Sequence, residues 1–287
     1  TKVVERHAQA QGRPLVICDF SPPRGADPGL LASAGTLDVD YICVAYNPGR
    51  SARVSSAATA HWIRTHTGKD VIFNLATRDM NKVAIQSLLL GVQLSGLENL
   101  VVVKGDAFSQ RELSILKDVN DFAPTELLRS VNEMNRGVDF RGLKLRSATD
   151  LCVGASIDLG RGLQAEVALT RLKSEAGAHF FISQPTFDPQ QPRSFLAQYA
   201  QRYGEELSPP VFHGVQVMAP DSLALGGIPQ WVTDDLAGGR PGQDIALQVL
   251  HDFADKGFSS FYLVPPILRG GRRDYEAAQA VLEAFRR

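Results

Sequence analysis

Residues 71–106 read VIFNLATRDMNKVAIQSLLLGVQLSGLENLVVVKGD. The stretch opens on a short apolar run, 71–76, and passes through Thr77, Arg78 and Asp79 into a segment with helical spacing. There Val83, Ile85, Leu88, Leu89, Val92 and Leu94 form a broad apolar face over 79–95, with Asp79 as the expected N-cap and Gly96 as the C-terminal stop. A second apolar run, 100–104, follows. Strand, long helix and strand in this order form a parallel βαβ unit, because only a crossover of this length returns the chain to the same edge.

The same alternation extends in both directions. Short β-rich runs fall at 15–20, 41–45, 151–156, 179–184, 211–217 and 260–264. Most are continuous apolar runs, as expected of parallel strands covered on both faces. Helical periodicity fills 125–135, 163–176, 243–256 and 272–285. Eight strand-then-helix units predict an α/β fold, a single (β/α)8 barrel spanning 1–287 with 1–13 as a peripheral N-terminal segment. The competitor is an open doubly wound sheet, but no GxGxxG follows any strand. There is no internal repeat. The long connections 107–150 and 219–241 follow the fourth and seventh strands, where barrel enzymes keep their sites.

The chain has 287 residues, which at roughly 150 per domain suits two domains, yet one barrel of about 250 fits as well. Thirty basic against 31 acidic residues give a net charge of −1, which gives no support to nucleic-acid or membrane-surface binding. No apolar run approaches the roughly 18 residues of a membrane span, and 1–13 carries no signal-peptide core. Cys18, Cys43 and Cys152 each lie within apolar runs and match no zinc or redox spacing, so buried thiols and a reducing, cytoplasmic setting are expected. The six histidines form no metal pattern, and no metal site is expected.

Polar residues at the C-terminal ends of barrel strands point into a shared mouth. Asp19 lies inside an apolar run, where an unpaired carboxylate would cost several kcal/mol. Asp106 follows the fourth strand in Lys104-Gly105-Asp106, and Gln184 ends the sixth. Two carboxylates and a carboxamide around one mouth could orient a heterocycle and supply a proton. Each also has a structural reading: Asp106 as a turn residue, Gln184 as a satisfied core amide, Arg24 as one half of a surface ion pair. The basic stretch Arg136, Arg141, Lys144 and Arg146 suits either an anionic group or a solvated loop.

In this order, these residues resemble the methylenetetrahydrofolate reductase family. DFSPPR at 19–24 is similar to that family's opening E-[FL]-x-P-P-[KR], and 77–106 is similar to its T-x-[RD]-D-x-N segment, helix and strand ending in Gly-Asp. The runs 135–154, GAHFFISQPTFD at 177–188, and 211–266 continue the register, closest to a shorter bacterial branch. The resemblance implies a (β/α)8 barrel binding FAD at its mouth. It implies reduction of 5,10-methylenetetrahydrofolate to 5-methyltetrahydrofolate, with NADH or NADPH as electron source. It assigns catalysis to Asp19 and Asp106 and pterin binding to Gln184 and Asp106. Asp19 would be an acid kept neutral by an apolar pocket. Tyr46, Asn74, Thr77, Lys104, Gly105, Asp106 and Arg161 would hold the cofactor. Partners on this view are a small folate substrate and either a second copy or a separate reductase subunit.

Departures from the family pattern cluster at the flavin positions. The family's acid is Glu where Asp19 stands, one methylene shorter. The second strand ends in Ala45-Tyr46-Asn47 without the family's hydroxyl. Lys104 replaces Arg or Thr, and Ile157-Asp158-Leu159-Gly160-Arg161-Gly162 replaces a Pro-containing segment. Two other readings keep the barrel and the folate: a tetrahydrofolate-dependent methyltransferase or folate-binding partner subunit that has lost flavin, and a reductase taking hydride directly from a nicotinamide.

Overall fold

A computed structural model describes residues 1–287. Eight parallel strands close into a barrel in chain order: β1 Leu15–Phe20, β2 Tyr41–Val44, β3 Val71–Ala76, β4 Asn99–Val103, β5 Cys152–Ile157, β6 Phe180–Pro185, β7 Val211–Gln216 and β8 Ser260–Val264. Closure is made by β1 against β8, with Leu15 opposite Ser260 and Cys18 opposite Leu263. Every expected strand is present, shifted by no more than one residue at either end.

The helices are α1 Val3–Ala10, α2 Ser56–Thr67, α3 Lys82–Leu94, α4 Gln110–Leu113, α5 Pro124–Asn135, α6 Leu163–Glu175, α7 Gln190–Tyr203, α8 Gln230–Ala237, α9 Gly242–Asp255 and α10 Tyr275–Phe285. Helix α3 starts at Asn81, not Asp79. Asn81 accepts from the Ala84 amide at 2.9 Å, while Asp79 is drawn off by the neighbouring Arg78. Helices α1, α2 and α7 were not legible from periodicity. Their apolar positions are few and interleaved with Ala, Gln and His.

Alternation along each strand sorts side chains into two cores. One of 51 buried residues lies between strands and helices. Another of 11 fills the barrel interior, including Leu15, Ile17, Tyr41, Ile72, Val101, Phe180 and Phe212. The interior is therefore packed, as in other barrels of this kind. Phe180 and Phe212 meet edge to face at 6.3 Å, and Gly154 makes room for Phe180, whose ring atoms would lie 2.5 Å from any Cβ there. All three cysteines are free and buried, two of them in the barrel interior.

The N-terminal segment lies across the strand N-termini rather than at the periphery. Val3 is fully buried in the interior core. Its amide donates to Asn99 at 2.9 Å, Tyr41 donates to the Thr1 carbonyl at 3.1 Å, and Arg6 pairs with Asp70. The basic stretch after α5 lies at this same end, because helix-to-strand connections run along the face opposite the mouth. Arg136 there is spent on Glu133. No helix is long and apolar enough to cross a membrane.

On β7, His213 points outward into an aromatic nest of Phe253 and Phe258, with ring centroids 5.9 and 4.3 Å away. Burial lowers its pKa to about 4. The unfolded chain therefore binds this proton first as pH falls. The stability it confers is complete above pH ~6.5 and is lost progressively toward pH 4, by about 3 kcal/mol in all. Urea titrations at pH 7 and 4.5 should show that loss, and His213→Leu should remove much of it.

Candidate active site

Asp19 is the fifth residue of β1, opposite Cys43 in register, and by alternation with Leu15 and Ile17 its side chain enters the barrel at the mouth. It is 3% exposed. It is not a lone acid. One carboxylate oxygen accepts from the Tyr262 hydroxyl at 2.9 Å, and the other accepts from Arg273 Nε at 2.8 Å. Burial opposes the charge on Arg273, but the Asp19 carboxylate outweighs it and the guanidinium's pKa is raised. Burial, reinforced by the Asp19 charge, pushes the Tyr262 phenol well above its usual value. Asp19 is thus the accepting member of a buried ion pair with Arg273. The expectation of an apolar pocket around it is corrected by this pairing, which places Asp19 between a phenol and a guanidinium.

Arg273 reaches Asp19 because the loops after β7 and β8 form a small antiparallel patch over the mouth. Leu223 pairs with Ile267, and Ile267 pairs with Arg273. Gln216, buried at the end of β7, pins the patch. Its amide nitrogen donates to the Leu223 carbonyl at 2.7 Å, and its oxygen accepts from the Leu225 amide at 3.0 Å.

Gln184 is exposed in a strand otherwise buried. The cause is a register irregularity between β6 and β7 after Ile182. Gly214 permits it: a Cβ there would lie 2.6 Å from the Pro185 nitrogen and the Ser183 carbonyl. Ser183 Oγ accepts the Gly214 amide at 2.9 Å and fills the gap in the ladder. Gln184 is thereby turned into a cavity of about 530 Å³ closed by Leu225, Gly226 and Gly227. The lining carries three glutamines, Gln184, Gln190 and Gln191, and two carboxylates, Asp158 and Asp188, but no Lys, Arg or His.

Asp106 sits on the other side of the mouth with an exposed carboxylate. Its carbonyl is held by Arg78 Nη1 at 2.6 Å, while Arg78 also grips Asp79 and lies 4.0 Å from the centre of the Phe108 ring. Gly105 must be glycine: its φ is +87°, and a Cβ would press to 3.2 Å of Arg78 Cβ and 3.3 Å of Ala76 Cβ. Asp19, Asp106 and Gln184 thus occupy one rim, but of the three only Gln184 lines the large cavity.

The seven positions that the resemblance gives to FAD do not form a cradle for it. Thr77 is 1% exposed, so its unpartnered hydroxyl is sealed in protein. Tyr46 is half-buried beside Asp79, its pKa raised to about 12 first by burial and then by that carboxylate. Asn74 accepts from the Cys43 thiol at 3.3 Å. Arg161 lies after β5, its Nε paired with Asp158 at 3.2 Å. None of the seven lines either the large cavity or the smaller one of about 280 Å³ between the loops after β2, β3 and β4. Pockets for small molecules run from about 300 to 1,000 Å³, and a flavin dinucleotide lies well above the smaller cavity's size.

Sequence reasoning missed Arg273, Tyr262 and Gln216. Tyr262 and Gln216 are polar residues in apolar strands and carried a signal. Arg273 did not, since it lies in a loop and meets Asp19 across 254 residues of chain.

A family model described as methylenetetrahydrofolate reductase matches residues 3–240. No curated protein matches the sequence. Among solved structures, an uncharacterized protein from Clostridium thermocellum that binds two copies of 5-methyl-5,6,7,8-tetrahydrofolic acid aligns with a TM-score of 0.66 at 13% identity, covering 98% of both chains. A phosphonopyruvate hydrolase in complex with oxalate and magnesium aligns with a TM-score of 0.50 at 13% identity, covering 98% of this chain and 83% of that one. At such identities the two structures speak for the barrel fold alone.

Removing one partner of the buried pair leaves a charge stranded. Arg273→Ala should cost about 3–5 kcal/mol in urea unfolding, and the double variant Asp19→Asn with Arg273→Ala should recover part of that loss. Equal stability of the wild type and Arg273→Ala would show that the pair does not hold the mouth together.

Proposed function

The chain belongs to the methylenetetrahydrofolate reductase family, and from that premise we propose that it reduces 5,10-methylenetetrahydrofolate to 5-methyltetrahydrofolate at the barrel mouth. The observation that carries this reading is Gln184, turned by the β6 bulge into a cavity with carboxamides and carboxylates but no cation. A pterin presents a neutral edge of adjacent donors and acceptors. A carboxamide matches such an edge with one donor and one acceptor, and carboxylates accept from its amino groups. The neighbour from Clostridium thermocellum is an instance of this barrel fold holding a ligand of that class.

The chemistry converts the bridge between N5 and N10 into a methyl group on N5. The N10–carbon bond breaks as N10 takes a proton, and a hydride then adds to the resulting N5 iminium carbon. A reduced nicotinamide nucleotide supplies that hydride and leaves oxidised. On this reading Asp19 does not donate the proton, because both of its oxygens are already engaged by Arg273 and Tyr262. Its charge is already balanced by Arg273, so it contributes fixed dipoles at the base of the mouth, and the ring-opening proton enters with water at the open mouth. Fixed charge facing a developing charge is often the largest single catalytic contribution. Asp106, exposed on the opposite rim, is on this reading the carboxylate left free to offset the positive charge that the iminium carries.

A second reading is favoured by the lack of a flavin cradle. The same cavity would hold 5-methyltetrahydrofolate and give its methyl group to an acceptor supplied by a partner. Incubation with methylenetetrahydrofolate and NADH or NADPH, set against incubation with 5-methyltetrahydrofolate and a methyl acceptor such as homocysteine or a reduced corrinoid, separates the two.

Gln184→Ala should weaken 5-methyltetrahydrofolate binding at least tenfold in calorimetry, the cost of an unmade polar contact. Unchanged affinity would remove Gln184 from the site. Asp19→Asn should lower kcat about a hundredfold with little change in KM. A rise in KM at constant kcat would assign Asp19 to ground-state binding instead.

A further inference from the structure

The cavity of about 280 Å³ lies across the mouth from Gln184 and has the opposite electrical character. Arg50, Arg78 and Lys117 line it, against one carboxylate, Asp79. The three cations differ in how far they are already spent. Arg78 is neutralised by Asp79 through two hydrogen bonds, at 2.5 and 2.8 Å. Arg50 gives only its Nε to Glu112, at 3.0 Å, and its two terminal nitrogens have no partner. Lys117 is exposed and makes no ion pair.

The backbone supports the same assignment. Asn47 and Arg50, both on the lining, hold left-handed conformations with φ of 39° and 56°. Asn takes this conformation readily, so the strained one is Arg50, and such strain persists only where the surrounding structure holds it. The wall opposite is apolar, with the Phe108 ring resting on the Arg78 guanidinium and Leu116 beside it.

We propose that this cavity is an anion subsite, distinct from the pterin cavity, that takes the multiply charged tail of a reactant whose ring system lies at the mouth. The assignment rests on the reductase reading above for the identity of that reactant. Its volume suits a tail rather than a whole cofactor. Two sources share the chemistry: the diphosphate of the nicotinamide nucleotide that brings the hydride, and the γ-linked glutamates of a folate. In both, terminal nitrogens of Arg50 and the Lys117 ammonium would form charge-assisted hydrogen bonds to oxygen anions.

The test is calorimetry on the full chain with two probes that lack a pterin, ADP and p-aminobenzoyl-tri-γ-glutamate. One of them should bind, and the one that does identifies the source. Its affinity should fall as salt rises, and should fall at least tenfold in Lys117→Glu. Arg50→Gly, which relieves the backbone strain while removing the guanidinium, should weaken the same probe. Monoglutamyl 5-methyltetrahydrofolate should bind the wild type and Lys117→Glu equally. If neither probe binds the wild type, or if Lys117→Glu binds the probe as tightly as the wild type, the subsite is overturned. Failure of the folate reading would show separately, as no binding of the monoglutamyl folate to the wild type with the probe result intact.

Discussion

The mouth of this barrel depends on a carboxylate that cannot be buried alone. Asp19 enters a packed interior from the first strand, where an isolated charge would cost several kcal/mol. Tyr262 from the last strand and Arg273 from the loop beyond it satisfy both oxygens. That requirement fixes where the loop after β8 must lie. It in turn fixes the Leu223–Ile267–Arg273 patch, and through Gln216 the position of Leu225, which walls the large cavity. A charge-balance condition at β1 is thereby transmitted to the shape of the pocket between β5 and β7.

The two sides of the mouth divide the labour by electrostatics. The side formed by β5, β6 and β7 is rich in carboxamides and carries negative charge, while the side formed after β2, β3 and β4 carries unspent cations. A neutral heterocycle and an anionic group would each find one favourable side and one unfavourable side. Such complementarity orients a reactant before any contact is made, because the wrong orientation places like charges together or leaves a charge unpaired.

Much of this was legible in the residues. The eight strands followed from continuous apolar runs, and Gln184 and Asp19 stood out because polar residues in such runs need a reason. The surroundings of Asp19 were not legible because its partner is remote. Local sequence shows that a carboxylate is buried and does not show that an arginine far down the chain neutralises it. The N-cap of α3 failed for a related reason: Asp79 and Asn81 both suit the position, and only the competing pull of Arg78 decides between them. The bulge that exposes Gln184 had one visible trace, Gly214 within a strand, since an isolated strand glycine often marks a close backbone approach. The cofactor positions carried over by resemblance proved the least informative. Side chains such as Thr77 and Arg161 keep their place in the chain while their exposure and partners are set by neighbours.

The bond between Asp19 and Arg273 spans 254 residues, nearly the whole polypeptide. During synthesis at about 5–20 residues per second, the first strand waits tens of seconds or less for its counter-charge to leave the ribosome. Until then β1 has neither its neighbour β8 nor a partner for its acid, so the ring cannot shut in a stable form. Completion of the mouth and closure of the cylinder are consequently one late event. A nascent chain halted short of the final loop would keep an open edge and an uncompensated acid, features that mark it for chaperones and proteases.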